Sequence, residues 1–481
     1  MIGLNELKAI AEDGCSFLEK QHKVKEFEVF ASANRMNVLR IVFASNVPNN
    51  ALEEPKSLEN FGLSVRVLFD DKKIGFGKAD AELSKKGIAL AFEKAQKNVV
   101  LDNDFQSFAE PAKGKQKKPV FDKKIMELDE EKAIQSAYDC LGGAISELER
   151  KKIGGHLNIT GEIDYIAERM AVKNSNGINA SDQGTIALAT LTTILEQRPD
   201  LSGMWFDSST KLEKLDAAKA GKTSAQKALD MQSPQKIDSG EYSVVFGRVA
   251  VAELLYSRFD VGLNAIDLNA SPYINRLDSM VASEKLSIAD DGAFEGAIGT
   301  KTVTDEGLPT GKTKIVEKGK LVNFLANDYY AKKFGDKRFS ARNGFRTGGG
   351  GRHHDSRPSI SATNLVVSKG EFSDEELLKE IKNGVYIGRI WYTYPVNGLA
   401  SADFTSTVRG DSYIIENGKI KSALVPNTVR VNENLDRVFQ NILGISKKQQ
   451  ATLAWGQEAV VITPEIAVKG VRLERIAKDI Y

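Results

Sequence analysis

Four histidines and two cysteines are all the imidazole and thiol donors this 481-residue chain offers to a metal ion. Zinc that hydrolyses a peptide needs about three protein donors and one open position for water. His22 and His156 have no second donor at ligand spacing, and both read as surface or packing histidines. No histidine lies between His156 and His353, and no cysteine follows Cys140. His353 and His354 are adjacent, so on an extended strand they would point to opposite faces. With Asp355 they could ligate only from a loop, and a polar loop is the plainer reading. Serine and threonine are plentiful, but no G-x-S-x-G elbow is present and few histidines could activate a hydroxyl. Asp290, Asp291, Glu295 and Asp305 are of the type that does acid–base work. Sequence alone does not bring them face to face, and turn or cap roles are expected of them.

The elements that must position such groups can be read from periodicity. With 481 residues, two or three domains are expected. Apolar residues make up 41% and charged residues 27%, the balance of a globular protein. A formal net charge of +1, from 66 basic and 65 acidic residues, gives no global attraction to nucleic acid or an anionic membrane. No apolar run approaches the length that spans a bilayer. The opening MIGLNELKAIAEDGCSFLEK reads as an amphipathic helix and not a signal peptide. Cys15 and Cys140 imply no disulfide framework, so a reducing cytoplasm is expected.

Strands are predicted at 26–30, 38–44 and 62–69, then a helix capped by Ser84 and running to Ala95. The lysine-bearing stretch at 109–120, bounded by prolines, reads as a linker. A helix at 129–151 keeps Ala133, Ala137, Leu141, Ala144 and Leu148 on one face. Strands at 161–173 and 184–196 flank the turn NSNG at 174–177, and a helix follows at 211–229. Beyond Glu241 hairpins dominate, with short helices at 249–258, 374–382 and 433–443. IVEKGKL (315–321) and IIENGKI (414–420) carry the turn chemistry of tight hairpins; two independent hairpins are the plainer reading than a duplication. The expected fold class is α+β, organised as an N-terminal α/β domain over 1–110, a middle α/β segment over 121–236 that could pack on it, and a β-rich domain over 240–481.

The run DDGAFEGAIGTKTVTDEGLPTGKTKIVEKGKLVNFLANDYYAKKFG (290–335) resembles the signature of the TldD/PmbA family. That signature has an Asp-Gly, an Asp-Glu-Gly-x-Pro-Thr, a hairpin, and a short Tyr-Ala-Arg/Lys-Lys helix. Arg357-Pro358, Thr363-Asn364-Leu365, IIENGKI and a terminal strand pair follow in the family's order. GLSVRVLFDDKKIGFG (62–77) and KNSNGINA (173–180) extend the likeness, more loosely, into the first half. The resemblance implies an α/β N-terminal part and a C-terminal half of curved, largely antiparallel β-sheets enclosing a cavity. It also implies a metalloprotease assembled from a TldD-type and a TldE-type chain that degrades or processes unfolded peptides.

In TldD-type chains a helix carries His-Glu-x-x-x-His, and a cysteine far downstream completes the zinc ligands. The corresponding helix here, RVAVAELLYSRFD (248–260), has no histidine. Glu253, its only carboxylate before the terminal Asp260, is expected to be a solvated or capping residue. The resemblance therefore implies a TldE/PmbA-like chain without a metal of its own, with zinc in a TldD-type partner. Heterodimer with that partner and homodimer both stay open. The residues expected to touch substrate peptide, because they match the signature, are Asp305, Glu306, Arg357, Thr363 and Asn364. For each, a purely structural role is the alternative: a turn at Asp305-Glu306-Gly307, a buried ion pair at Arg357. The glycine run 348–351 between Arg346 and Arg352 is followed by no helix, so a phosphate cradle is not expected there. It reads as a loop at the cavity entrance, where glycine permits close approach of an extended peptide. A stand-alone peptide-binding scaffold and a hydrolase with a relocated, non-zinc site are the competing functions.

Overall fold

The computed structural model describes residues 2–112, 118–151, 155–196, 201–346, 348, 350–454 and 460–476. Residues 113–117 of the expected linker, and Gly349 of the glycine run, lie outside the described residues. Alternation builds the first half. In β1 (Val24–Ala44), odd-numbered Phe27, Val29, Ala31, Ala33, Leu39 and Ile41 are buried on one side. Even-numbered Glu28, Phe30, Ser32 and Asn34 are buried on the other. This strand sits at the centre of a seven-stranded antiparallel sheet. Its order is β4 (Val99–Leu101), β3 (Lys73–Asp80), β2 (Lys56–Phe69), β1, β5 (His156–Asn174), β6 (Asn179–Glu196), β7 (Leu201–Ser209). Residues on both sides of the expected linker thus pair in one sheet.

The odd face is covered by helices. α1 (Leu4–Leu18) and α2 (Lys85–Lys97) pack on β1–β3 through Leu7, Ile10, Ile88 and Ala91. Farther along β1, α3 (Lys123–Met126), α4 (Glu130–Arg150) and α5 (Ala217–Leu229) pack against Leu39, Ile41, Ile159 and Ile163. The starts of α2, α4 and α5 follow from their caps. Ser84 accepts from the Lys86 amide at 3.2 Å, and Asp129 from that of Lys132 at 2.9 Å. Asp216 accepts from the Lys219 amide at 2.9 Å, so α5 begins later than the predicted 211; Leu212–Lys214 form a single 3₁₀ turn.

The even face is where the sequence reading fell short. Strands predicted separately at 26–30 and 38–44 are one strand in the structure, and Ser32 and Asn34 between them do not meet water. Asn34 donates to the Arg352 carbonyl at 2.8 Å and accepts from its amide at 3.2 Å, and Ser32 lies 3.4 Å from His354 Nδ1. Partners more than 300 residues away in sequence complete the strand.

Among the described residues, the second half has two large sheets and one two-stranded pair, Gly344–Phe345 with Ser359–Ile360. A six-stranded sheet runs from Lys320–Leu321 through Lys312–Glu317, Ile288–Asp291, Asn364–Val367 and Val460–Thr463 to Gln450–Leu453. A nine-stranded, curled sheet has Ile390–Pro395 at one edge and Lys419–Ala423 at the other. Pairing is antiparallel except between Asn364–Val367 and Val460–Thr463, and between Gly240–Phe246 and Gly384–Ile387. The fold is α+β, as expected. Helix α6 (Arg248–Arg258) packs against both sheets, with Ala250, Val251, Leu254 and Leu255 in the largest core. The two hairpins occupy different sheets, and both turn on left-handed pairs: Lys318 (φ 47°) with Gly319 (77°), and Asn417 (51°) with Gly418 (74°). The helix expected at 433–443 is only Leu435–Gln440, because Asn434 closes the preceding strand and caps the Asp436 amide at 3.0 Å. Among the described residues no helix is long and apolar enough to cross a membrane.

Candidate functional site

The even face of the seven-stranded sheet and the second half enclose a cavity of about 980 Å³. From β1 and β5 it is lined by Met36, Glu162, Asp164 and Glu168; from α6 and the turn after it by Leu255, Tyr256, Phe259 and Asp260. Lys301, Asp305, Arg346, Arg352 and Thr363 complete the polar wall, and Gly348, Gly350 and Gly351 lie on its border. The described glycines of the run are therefore at the cavity, as expected of them.

A buried ion network holds this wall. Arg346 donates to Glu28 Oε1 at 2.8 Å, and Arg66 donates to both Glu28 oxygens at 2.8 and 2.5 Å. Burial pushes the Glu28 carboxyl up, but the two guanidinium groups outweigh it and hold it below its ordinary value. Arg352 bonds Asp182 at 2.9 Å and the Val303 carbonyl. Its Nε lies 2.8 Å from Asp305 Oδ1, an ion contact without hydrogen-bond alignment. Lys301 is paired with Glu168.

The signature residues separate into three places. Asp305 and Thr363 reach the cavity wall. Asp305 also accepts from the Arg346 amide at 2.5 Å, so it fixes the strand that carries that arginine. Thr363 gives its amide (2.7 Å) and its hydroxyl (2.9 Å) to Asp290. Asp290 is fully enclosed, and burial pushes its carboxyl to about 6. Glu306 and Asn364 lie behind the wall. Glu306 accepts from the Asp328 amide at 2.9 Å and sits 3.9 Å from Arg66; burial, then the neighbouring Asp328, push it to about 8. Asn364 donates to the Asp291 carbonyl at 2.9 Å and to Thr300 Oγ1 at 3.2 Å. Arg357 lies outside the cavity, exposed, with its guanidinium 5.6 Å from the Phe76 ring centroid.

Sequence reasoning did not single out Asp164, Glu168, Tyr256, Asp260 or Lys301. One signal was available. Glu162, Asp164 and Glu168 share the even face of a strand whose odd face is apolar, a charged stripe that must meet water or a site.

The donor set does not fit a zinc hydrolase centre. Among the described residues no three His, Cys, Asp or Glu side chains converge in a way that could hold a metal ion. Glu253 is 3% exposed and accepts from Ser257 at 3.2 Å within its own helix. It is thus neither the solvated nor the capping residue expected. His354 is buried, with Nε2 3.0 Å from Asp80; His22 and His156 are exposed.

TldE from Thermococcus kodakarensis superimposes with a TM-score of 0.81 at 21% identity, over 98% of this chain and 100% of that one. Residues 239–475 match the PmbA/TldA metallopeptidase C-terminal domain. The chain therefore belongs to the TldD/PmbA family. An uncharacterised protein of Methanocaldococcus jannaschii is 26% identical over 465 residues, covering 94% of this chain and 99% of that one. The metalloprotease TldD homolog of Buchnera aphidicola (subsp. Acyrthosiphon pisum) is 28% identical over 218 residues, which span only 42% of its length.

Proposed function

We propose that this chain is the non-catalytic, TldE/PmbA-like subunit of a TldD/TldE-type metalloprotease complex that degrades or processes unfolded peptides. The observation that carries the reading is the cavity face of α6. Where TldD-type chains place His-Glu-x-x-x-His, this helix and the turn after it present Leu255, Tyr256, Phe259 and Asp260. Zinc and its water would come from a TldD-type partner, and this chain would help to hold the peptide. A cavity of about 980 Å³ lies at the large end of the range for bound small molecules and suits an extended segment. The edge strand Ile390–Pro395 and the loop after it leave Tyr392, Tyr394 and Leu399 exposed, which supports an apolar contact with a second chain.

The test is to assay casein or an unfolded peptide with this chain alone, with a TldD-type chain, and with both plus chelator. Chelator-sensitive activity in the mixture alone is the expected result. Chelator-resistant activity of the lone chain would move the reading to a relocated hydrolase site. No activity in any arm would leave a peptide-binding scaffold. Sedimentation should show a heterodimer with the TldD-type chain, or a homodimer without it; a monomer in both cases counts against the assembly.

A further inference from the structure

Charge around the cavity is not balanced. Its wall carries five carboxylates (Glu162, Asp164, Glu168, Asp260, Asp305) against three cations (Lys301, Arg346, Arg352). All three cations are committed: Lys301 to Glu168, Arg346 to Glu28, and Arg352 to Asp182 and Asp305. Asp260 is different. Its side chain accepts only a long 3.4 Å bond from the Gly262 amide, while Tyr256 and Phe259 stand beside it on the same wall. Surrounding protein desolvates that carboxyl and raises it above its ordinary value. A carboxylate flanked by aromatic faces is the chemistry that receives an ammonium or guanidinium group.

On the other side of Lys301 the sign reverses. A second pocket, of about 770 Å³, shares Lys301 with the first and is lined by Lys118, Lys211 and Lys214, with Ser208, Ser209, Thr210, Thr300 and Thr302. Among the described residues that line it, Glu295 is the only carboxylate. The Lys301–Glu168 pair thus stands between an acidic chamber and a basic one. Folding alone does not call for this separation, because like charges gathered in a cavity repel one another.

We infer that the two pockets together take an unfolded peptide of mixed charge. A positive group, either the α-ammonium or a Lys or Arg side chain, sits against Asp260, and a carboxylate sits among Lys118, Lys211 and Lys214. This rests on the peptide-holding role proposed above and narrows its substrate class.

The test uses the full-length protein and four fluorescently labelled unfolded ten-residue peptides, matched in length: mixed-charge, all-basic, all-acidic and neutral. Anisotropy at low salt should show the mixed-charge peptide binding best. Asp260→Asn should weaken the mixed and basic peptides by about five- to tenfold and leave the neutral one unchanged. Lys211→Ala with Lys214→Ala should do the same to the mixed and acidic peptides. Asp260 and Lys214 are exposed and Lys211 is half-buried, so none of them is a core residue. Equal affinity for all four peptides, or variants that shift all four alike, would overturn the charge assignment and leave peptide binding standing. No binding of any peptide would overturn the peptide-holding role, and this inference with it.

Discussion

Arg346 and Glu28 meet at 2.8 Å with both side chains fully buried, one from the second half of the chain and the other from the first part of β1. Neither charge could be enclosed without the other, because a buried, unpaired ion costs several kcal/mol. Their contact is therefore a condition for closing the two halves around the cavity. Glu28→Ala would remove the one carboxylate that accepts from both Arg346 and Arg66. Unfolding by urea should show a loss of about 3–5 kcal/mol. A loss under 1 kcal/mol would mean that water enters the network and that the halves are held by apolar contacts alone.

Two buried carboxyls impose opposite pH dependences. Glu28 is held below its ordinary value of 4.5, so the stability it contributes is present above that value and is lost as pH falls through its folded pKa. Glu306 is pushed to about 8, so between 4.5 and 8 the folded chain keeps a proton that the unfolded chain releases. Stability should therefore fall as pH rises through that window.

Glu306→Gln isolates the second effect, because the amide oxygen can still accept from the Asp328 N–H while the charge is gone. Between pH 7 and 9, above the range in which Asp290 titrates, the wild-type chain should lose on the order of 1–2 kcal/mol more than the variant. A wild-type loss of stability between the two pH values no larger than the variant's would remove the buried-acid assignment.

Gly307 turns at φ +81°, and a Cβ there would come within 2.3 Å of Ile178 Cγ2. Gly307→Ala should cost about 2–4 kcal/mol, combining left-handed strain with overpacking. A thermal melt would show it. Peptide binding measured well below the transition should be unchanged, since Gly307 itself is not on the cavity wall.

Elemental analysis of the purified chain should find well under one zinc per molecule. One equivalent, lost in a His353→Ala/His354→Ala variant, would show that these histidines and Asp80 rebuild a site that the geometry does not predict.

Helix starts were legible at the caps Ser84 and Asp129 but not at Asp216 or Asn434, and both hairpins followed from their turn residues. The cavity wall was legible only in part. Asp305 and Thr363 were found through their signature, but the same reasoning put Arg357 among the peptide contacts, and it lies on the outside beside Phe76. What stayed hidden was the even face of the first sheet. Whether a polar residue such as Asn34 faces water or Arg352 depends on a chain segment more than three hundred residues later, and local periodicity does not carry that information.

The two-sided burial of β1 limits how the chain can evolve. The continuously buried stretch Phe27–Asn34 leaves no side on which a change of spacing could be absorbed. Adding or deleting one residue near Ser32 would swing Glu28 under α1 and turn Val29 toward the two arginines, so both layers would fail together. Substitutions can accumulate in this protein, but the residue count of its central strand is as constrained as any side chain in the cavity.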